Sequence, residues 1–160
     1  MLENVQKELN AFAKYVISQS RANLTRSKKN SSKQLYNSLD SDLKVSENSF
    51  SLSFLMEDYG VFQDKGVSGV KKKYNTPYSY TTKMDKWIVR RGIAPKDDKG
   101  KFISRKSLQF MIARSIFNNG IKPSLFFTKP FKKAFKNLDK DIVKAFKLDV
   151  EQLLETTINN

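Results

Sequence analysis

Hydrophobic residues near the start of the chain recur at helical spacing. Val5, Leu9, Phe12 and Val16 follow one another at intervals of four and three residues, with charged residues on the opposite side. This pattern predicts an amphipathic helix over residues 3–20 that packs against a core. The polar and basic residues that follow, 21–34, predict a loop or an extension of that helix.

The hydrophobic period then changes from helical to alternating. A short helix capped by Ser32 is predicted to end near Leu39. Beyond it, apolar and polar residues alternate over residues 43–45 and again over 50–54, with a turn at 47–49 between them. This alternation predicts a β-hairpin with one buried face.

The next pattern predicts a helix from Glu57 to Lys65 that ends at Gly66, a residue suited to a left-handed helix end. Tyr59 and Phe62 are expected to point inward, with Val61 beside them. A short amphipathic run followed by a glycine stop recurs before Gly120, so two separate parts of the chain share one pattern.

Residues 67–80 show no periodicity but contain three consecutive lysines and three tyrosines. Lysine with aromatic residues can bind single-stranded nucleic acid, whereas tyrosine is also enriched in the cores of protein interfaces. The interface interpretation is favoured here. The predicted interface residues are Tyr74, Tyr78 and Tyr80, and the possible DNA-facing residues are Lys71, Lys72 and Lys73.

Two further helices are predicted on either side of a polar loop. The first covers residues 82–91, and the second is capped by Ser104 and stopped by Gly120. The loop contains Asp97 and Asp98, whose flanking lysines indicate solvated charge rather than an acid–base pair. The predicted inner faces are Met84, Trp87 and Ile88 in the first helix, and Leu108, Met111, Ile112, Ser115 and Ile116 in the second.

A long helix is predicted to begin at Lys129 or Pro130 and to run to the end of the chain. Lysines are concentrated in its first half, where they form a solvated basic face or a face towards DNA. Residues 147–149 interrupt the pattern and could mark a kink. The apolar stripe is Phe131, Phe135, Leu138, Ile142, Ala145, Phe146, Val150, Leu153 and Ile158, and the possible DNA-facing residues are Lys132, Lys136 and Lys140.

Before this helix lies an apolar segment between two prolines, Leu125-Phe126-Phe127. Successive side chains of an extended segment point to opposite sides. We therefore expect Phe126 to enter the core of its own domain, and Phe127 with Leu125 to form a subunit interface.

Together these elements predict an α+β fold, mostly α, with N-terminal helices, a β-hairpin, and then helices ending in a long C-terminal one. We see no repeat or linker, which predicts a single domain over residues 1–160. The absence of cysteine and histidine excludes disulfides, thiolate nucleophiles, imidazole bases and most zinc sites. No catalytic residue, metal site or cofactor is predicted. Asp42-Leu43-Lys44 faintly resembles a strand of a metal-dependent nuclease, but no second acidic residue can be assigned beside it.

The charge balance is strongly basic, with 30 Lys and Arg against 16 Asp and Glu, a net charge of +14. Such a field attracts nucleic acid, an anionic membrane or an acidic protein surface. Residues 1–25 resemble neither a signal peptide nor a transit peptide, and no apolar run could span a membrane. We expect a cytosolic product, or one that stays in a particle assembled in the cytosol, with no membrane partner.

The middle of the chain resembles a known family. The pattern Tyr59-Gly60-x-Phe62-x-Asp64-x-Gly66, followed by a loop of Lys, Tyr and Pro, is similar to the small head–tail connector, or tail completion, proteins of tailed bacteriophages. The segment 122–127 resembles the Pro-Phe signature of that family. The helical residues around Trp87 and Met111 look more like the variants in phages and prophages of Bacteroidetes, including crAss-like ones.

The resemblance implies a non-enzymatic virion protein that forms a ring at the head–tail junction and joins portal or adaptor to tail. The implied partners are copies of the chain itself, other phage neck, portal or tail proteins, and packaged DNA contacted without sequence preference. The alternative is a basic nucleic-acid-binding protein that works alone. A magnesium-dependent nuclease is the weakest of the three hypotheses.

Overall fold

The computed structural model divides the chain into two compact units. It describes residues 2–46, 49–69 and 78–158, and for 78–83 and 158 it describes the backbone alone. The single domain predicted over residues 1–160 thus has an internal division that no linker marks. Unit 1 comprises Met1–Lys29, Gln34–Glu57 and Leu125–Asn160, and unit 2 comprises Asn30–Lys33 and Asp58–Ser124.

The predicted fold class is confirmed, because the protein is 64% helical and carries a small hairpin and a long C-terminal helix. Within the described ranges both sheets have two strands. The elements are α1 (Glu3–Arg26), α2 (Gln34–Ser38), β1 (Asp40–Ser46), β2 (Ser49–Leu55), α3 (Tyr59–Lys65), β3 (Val67–Ser68), α4 (Tyr78–Arg91), α5 (Arg105–Asn119), β4 (Gly120–Ile121) and α6 (Thr128–Ile158).

Unit 1 is built from α1, the β1–β2 hairpin and α6. The hairpin is antiparallel with Leu43 opposite Leu52, and its side chains alternate as predicted. The predicted buried face is only half-buried, and Val45 at its end is 52% exposed. The helical extension considered for residues 21–34 continues α1 as far as Arg26. No kink divides α6 at residues 147–149, since the helix is continuous from Thr128 to Ile158.

The core of unit 1 is aliphatic at its centre and aromatic at one side. Phe126 is 1% exposed and packs with Leu24, Leu35 and Leu39. Its carbonyl accepts a hydrogen bond of 3.1 Å from the Asn23 side chain, so backbone and ring are both held. Beside this centre, the rings of Phe12, Phe54, Phe127 and Phe131 meet edge to face or stacked, with centroids 5.2 to 6.1 Å apart.

The two long helices of unit 1 are also joined by a carboxylate. The residue before α1, Leu2, provides no side-chain cap, so the first amides of α1 need acceptors from elsewhere. Asp149 of α6 supplies them: Oδ1 accepts from the Asn4 amide at 3.0 Å and Oδ2 from the Val5 amide at 3.1 Å. Burial raises the pKa of Asp149, but these hydrogen bonds outweigh it and hold the pKa below its ordinary value.

In unit 2, the two segments that share a glycine-stop pattern pair with each other. Val67 lies opposite Ile121 and Ser68 opposite Gly120 in an antiparallel pair. Gly120 has φ +72°, and an added Cβ would collide with the Val67 carbonyl. Gly66 has φ +78°, and its Cβ would lie 2.5 Å from the Ile121 carbonyl. Glycine is required here both for the backbone angle and for the close approach.

The predicted inner face of α3 is wrong. Tyr59, Val61 and Phe62 are all exposed, with Phe62 at 58%, whereas Gly60 and Asp64 are buried. The two buried residues are four apart and so lie on one side of the helix. Because α3 turns its smallest residue inward, its backbone lies close to its neighbours and the large side chains face outward.

The α4–α5 pair forms the rest of unit 2. Ile88 and Leu108 are buried as predicted, and the Ser104 hydroxyl caps α5 by accepting from the Ser107 amide at 3.2 Å. Met111 and Ser115, which were predicted to face inward, are exposed. Ala113 is buried in their place, because its small side chain allows α5 to pack closely against its neighbour in the α4–α5 pair.

Candidate interaction surfaces

The apolar segment before α6 is not extended as expected. Leu125 has φ +52°, and Phe126 and Phe127 form a turn that leads directly into the helix. Alternation between two sides therefore does not apply here. Phe126 is buried, as predicted, but Phe127 also packs in its own unit, half-buried, at 5.2 Å from the Phe54 ring and 5.8 Å from the Phe131 ring. A contact of Leu125 and Phe127 with another subunit remains a prediction.

Several predicted site residues lie outside the described part of the chain. These are Lys71, Lys72, Lys73 and Tyr74. Tyr78 and Tyr80 fall in the first turns of α4, where the backbone alone is described. The predictions made for all six residues therefore remain predictions.

Lysines occupy one side of the first five turns of α6. At 100° per residue, positions 129, 132, 133, 136, 140, 144 and 147 fall within an arc of about 120°, opposite the buried Ala145 and Asp149. The predicted DNA-facing residues Lys132, Lys136 and Lys140 are all exposed. Within the described residues, these three form no ion pair, so their charge is available to a partner.

An exposed apolar strip runs along α6 from within the lysine arc towards the buried side. It consists of Phe135, Val143, Phe146, Val150, Leu153 and Leu154, and Val143 is 68% exposed. Four of these residues, Val143, Phe146, Val150 and Leu153, alternate at spacings of three and four. This is the pattern of a helix that packs against another surface.

The strip corrects the prediction that the whole apolar stripe of α6 faces inward. Of that stripe, Ala145 is buried, and Phe131, Leu138 and Ile142 are half-buried. The reason is the position of α1, whose Phe12 meets Phe131 and whose Val5 meets Asp149, so that the two helices run antiparallel. Helix α1 covers only a narrow face of α6. Because α1 begins beside Asp149, the last turns of α6 extend past the start of α1.

An open groove of about 790 Å³ lies in unit 1, lined by residues of α1, α2 and β1. Arg21 lies on its wall beside the basic residues Lys14 and Arg26. The Arg21 guanidinium donates to the Tyr36 carbonyl at 3.1 Å and to the Leu39 carbonyl at 2.8 Å, and it lies over the Tyr36 ring. Arg21 therefore stabilises the α1–α2 connection, and much of its donor capacity is already used.

The connection between α4 and α5 forms an ordered, basic turn. The Ile103 amide donates to the Pro95 carbonyl, and Lys96 pairs with Phe102 in an antiparallel bridge. Asp97 closes the turn: its Oδ1 accepts from the Lys99 amide at 3.0 Å and from the Lys101 amide at 2.9 Å. Asp97 and Asp98 are exposed, in agreement with the prediction of solvated charge, but the Asp97 carboxylate also organises the turn, which the prediction did not include.

A sequence signal for this turn existed. Aspartate side chains commonly accept from backbone amides two residues on, and glycine supplies the positive φ that such turns need. Asp97 and Gly100, which has φ +77°, are spaced for that arrangement. The exposed strip of α6, in contrast, has the same periodicity as a buried stripe, so periodicity alone could not reveal it.

Among the residues that the structure describes, no group of three or more acidic side chains is placed to hold a metal ion. In the same part of the chain, no helix combines the length and apolar character required to cross a membrane. Comparisons with protein-family models, with curated proteins and with solved structures found no match to this chain.

Proposed function

We propose that this protein is a non-enzymatic structural component of a tailed-phage particle, a ring subunit at the head–tail junction that joins portal or adaptor to tail. The observation that carries the proposal is the exposed apolar strip of α6. Large aliphatic and aromatic side chains recur there at helix-packing spacing, in a chain whose charge is otherwise high. Contiguous exposed apolar surface on a soluble chain marks an interaction site.

The occupant we propose for the strip is a neighbouring copy of the same chain. A ring subunit contacts its neighbours head to tail and needs two different complementary surfaces. The end of α6 carries Glu151, which lies 3.7 Å from Lys147, and Glu155, whereas the lysine arc of the first five turns contains lysine as its charged residue type. Opposite charges at the two ends of one helix favour contact between unlike surfaces of successive copies.

The lysine side of α6 supports the second part of this proposal, a contact with packaged DNA. A row of uniformly positive residues provides attraction to phosphates without reading a base sequence. The same row supports the alternative function, a nucleic-acid-binding protein that works alone. The apolar strip favours the ring subunit over the lone nucleic-acid-binding protein, because a protein that works alone needs no exposed apolar surface for a partner.

Sedimentation velocity of the purified chain tests the proposal. We expect species of several subunits that grow with protein concentration and persist in 0.5 M salt, because apolar contacts are not screened. A monomer at every concentration up to about 1 mM, a range in which even weak specific association is detected, would overturn the ring. Salt-sensitive DNA binding by that monomer would then support the lone binder.

A further inference from the structure

The turn between α4 and α5, with the helix ends that flank it, carries a net positive charge at least as large as that of the lysine side of α6. Residues 86–106 contain eight Lys and Arg against two Asp, a net charge of +6, whereas residues 129–147 have seven Lys against two Asp, a net charge of +5. We call the first region the basic tip. Its lysines and arginines are all exposed.

The tip is held in one conformation rather than being a loose charged loop. One of its two aspartates, Asp97, uses Oδ1 to accept two backbone amides. At the base of the tip, Asp85 accepts from Gln109 at 2.6 Å and lies 3.6 Å from the Arg105 guanidinium, which joins α4 to α5. Because backbone bonds fix the main chain of Lys96, Lys99 and Lys101 within one short turn, their ammonium groups are confined to one small region of the surface.

From this arrangement we infer that the basic tip binds the phosphodiester backbone of nucleic acid, with Lys96, Lys99 and Lys101 as the principal contacts. Successive phosphates form a line of regularly spaced negative charges, which a cluster of closely spaced cations can neutralise together. Arg90 and Arg91, exposed at the end of α4, add guanidinium donors that match phosphate oxygens.

A membrane surface fits the tip less well. The large apolar side chain that could insert is Phe102, which is 65% exposed. The Lys96 ammonium lies 4.9 Å from the centre of its ring. Insertion of Phe102 would carry that charge towards hydrocarbon, which is costly. The exposed carboxylate of Asp98 would also meet anionic headgroups.

The test uses the neighbouring aspartates as a matched pair. Asp97→Ala and Asp98→Ala raise the net charge by the same amount, but only the first removes the acceptor that orders the turn. If ordered lysines bind the backbone, Asp97→Ala weakens binding to a fluorescent 20-base-pair duplex by about threefold, the order of one lost lysine–phosphate contact. Asp98→Ala binds equally or more tightly. Equal tightening in both variants would show attraction by overall charge alone and would overturn the inference.

A second arm leaves the backbone hydrogen bonds of the turn unchanged. The variant Lys96→Gln, Lys99→Gln, Lys101→Gln is compared with a control in which Lys7, Lys14 and Lys44 become Gln, so both lose three charges. We expect the tip variant to bind the duplex about thirtyfold more weakly, as three lost contacts of about threefold each, and to lower the salt slope by about 2.7, at about 0.9 per phosphate contact. The control should change much less, and equal losses in both would contradict the inference.

The third arm replaces the duplex with vesicles containing phosphatidylserine. Binding of the wild-type chain to vesicles but not to the duplex, lost in Phe102→Ser, would identify a membrane contact and overturn the inference. All three arms measure a single chain with a short ligand, so their outcome is independent of whether rings form. The sedimentation test can therefore overturn the ring while the tip is still found to bind DNA. Equally, the binding tests can overturn the tip while the ring is still found.

Discussion

Unit 1 and unit 2 are each stabilised internally by a different kind of contact. In unit 1, side chains join residues far apart in sequence: Asp149 accepts from Asn4, 145 residues away, and Phe126 fills the space beside Leu24. In unit 2, the β3–β4 pair is made by backbone approaching backbone, which is possible because Gly66 and Gly120 carry no Cβ. The contacts of unit 1 depend on the size and charge of particular side chains, whereas the β3–β4 contact of unit 2 depends on the absence of a side chain at two glycines.

The largest expected effect is on unit 1, from Phe126→Ala. Removing a fully buried aromatic ring costs about 3–5 kcal/mol, through lost burial and the cavity that remains. Phe135→Ala is the matched control, because Phe135 is 57% exposed although it stacks on Phe131 at 5.5 Å. We expect less than about 1 kcal/mol there. Urea unfolding measures both, and similar losses would show that Phe126 is not central to the core.

The next effect tests the backbone joint of unit 2. Gly120→Ala introduces left-handed strain and a collision with the Val67 carbonyl, whereas Gly100→Ala introduces the strain alone, since nothing lies within 4 Å of its Cβ. Strain by itself costs roughly 1–2 kcal/mol. Gly120→Ala should therefore destabilise more than Gly100→Ala. Hydrogen exchange should report faster exchange at residues 67–68 and 120–121 in Gly120→Ala only, and equal effects of the two substitutions would contradict a close-packed β3–β4 pair.

A smaller effect concerns the carboxylate joint of unit 1 and depends on pH. The pKa of Asp149 is lowered on folding from its ordinary 3.8, so its contribution to stability is complete above that value. The contribution is lost as the pH falls below 3.8 and through the folded pKa. Urea midpoints measured between pH 7 and pH 2.5 should show this loss in the wild type.

The control for that measurement is Asp149→Asn, which keeps the shape of the side chain but cannot ionise. Its stability at pH 7 should be lower than that of the wild type, and the gap between the two should narrow as the pH falls through this window. A constant gap would show that the ionised carboxylate is not what stabilises the start of α1.

These joints explain which features the sequence could predict. The periodicity of α1, the alternation of the hairpin and the glycine after α5 are local signals, and each appears in the structure as expected. The outward position of Phe62 and the packing of Phe127 within unit 1 were not predictable in the same way. Both depend on where other segments lie, and a helix of two turns such as α3 has too few residues for its pattern to fix an orientation.

The surfaces follow the same rule. The lysine side of α6 could be predicted, since exposed charge needs no knowledge of neighbours. The strip from Val143 to Leu154 has the pattern of a core-facing stripe and is exposed only because α1 covers a narrow part of α6. The Asp97 turn was missed because its chemistry is a backbone interaction and not a property of the flanking lysines.

The smallest effect on stability is expected for the lysine side of α6. Replacing Lys132, Lys136 and Lys140 with Gln removes three exposed charges without ion pairs within the described residues, so unfolding should change by less than about 0.5 kcal/mol. If this side faces packaged DNA, particles assembled with the variant should retain their DNA less well. Normal retention would identify the lysines as solvated charge.

The central claim, that the exposed strip of α6 joins one copy of the chain to the next, is tested most directly by mass. The double variant Val150→Asp, Leu153→Asp is compared with Val45→Asp, which adds a carboxylate at an exposed apolar site on the hairpin. Multi-angle light scattering should find the wild type and Val45→Asp as the same multi-subunit species, and the double variant as a folded monomer. An unchanged mass in the double variant would contradict the account.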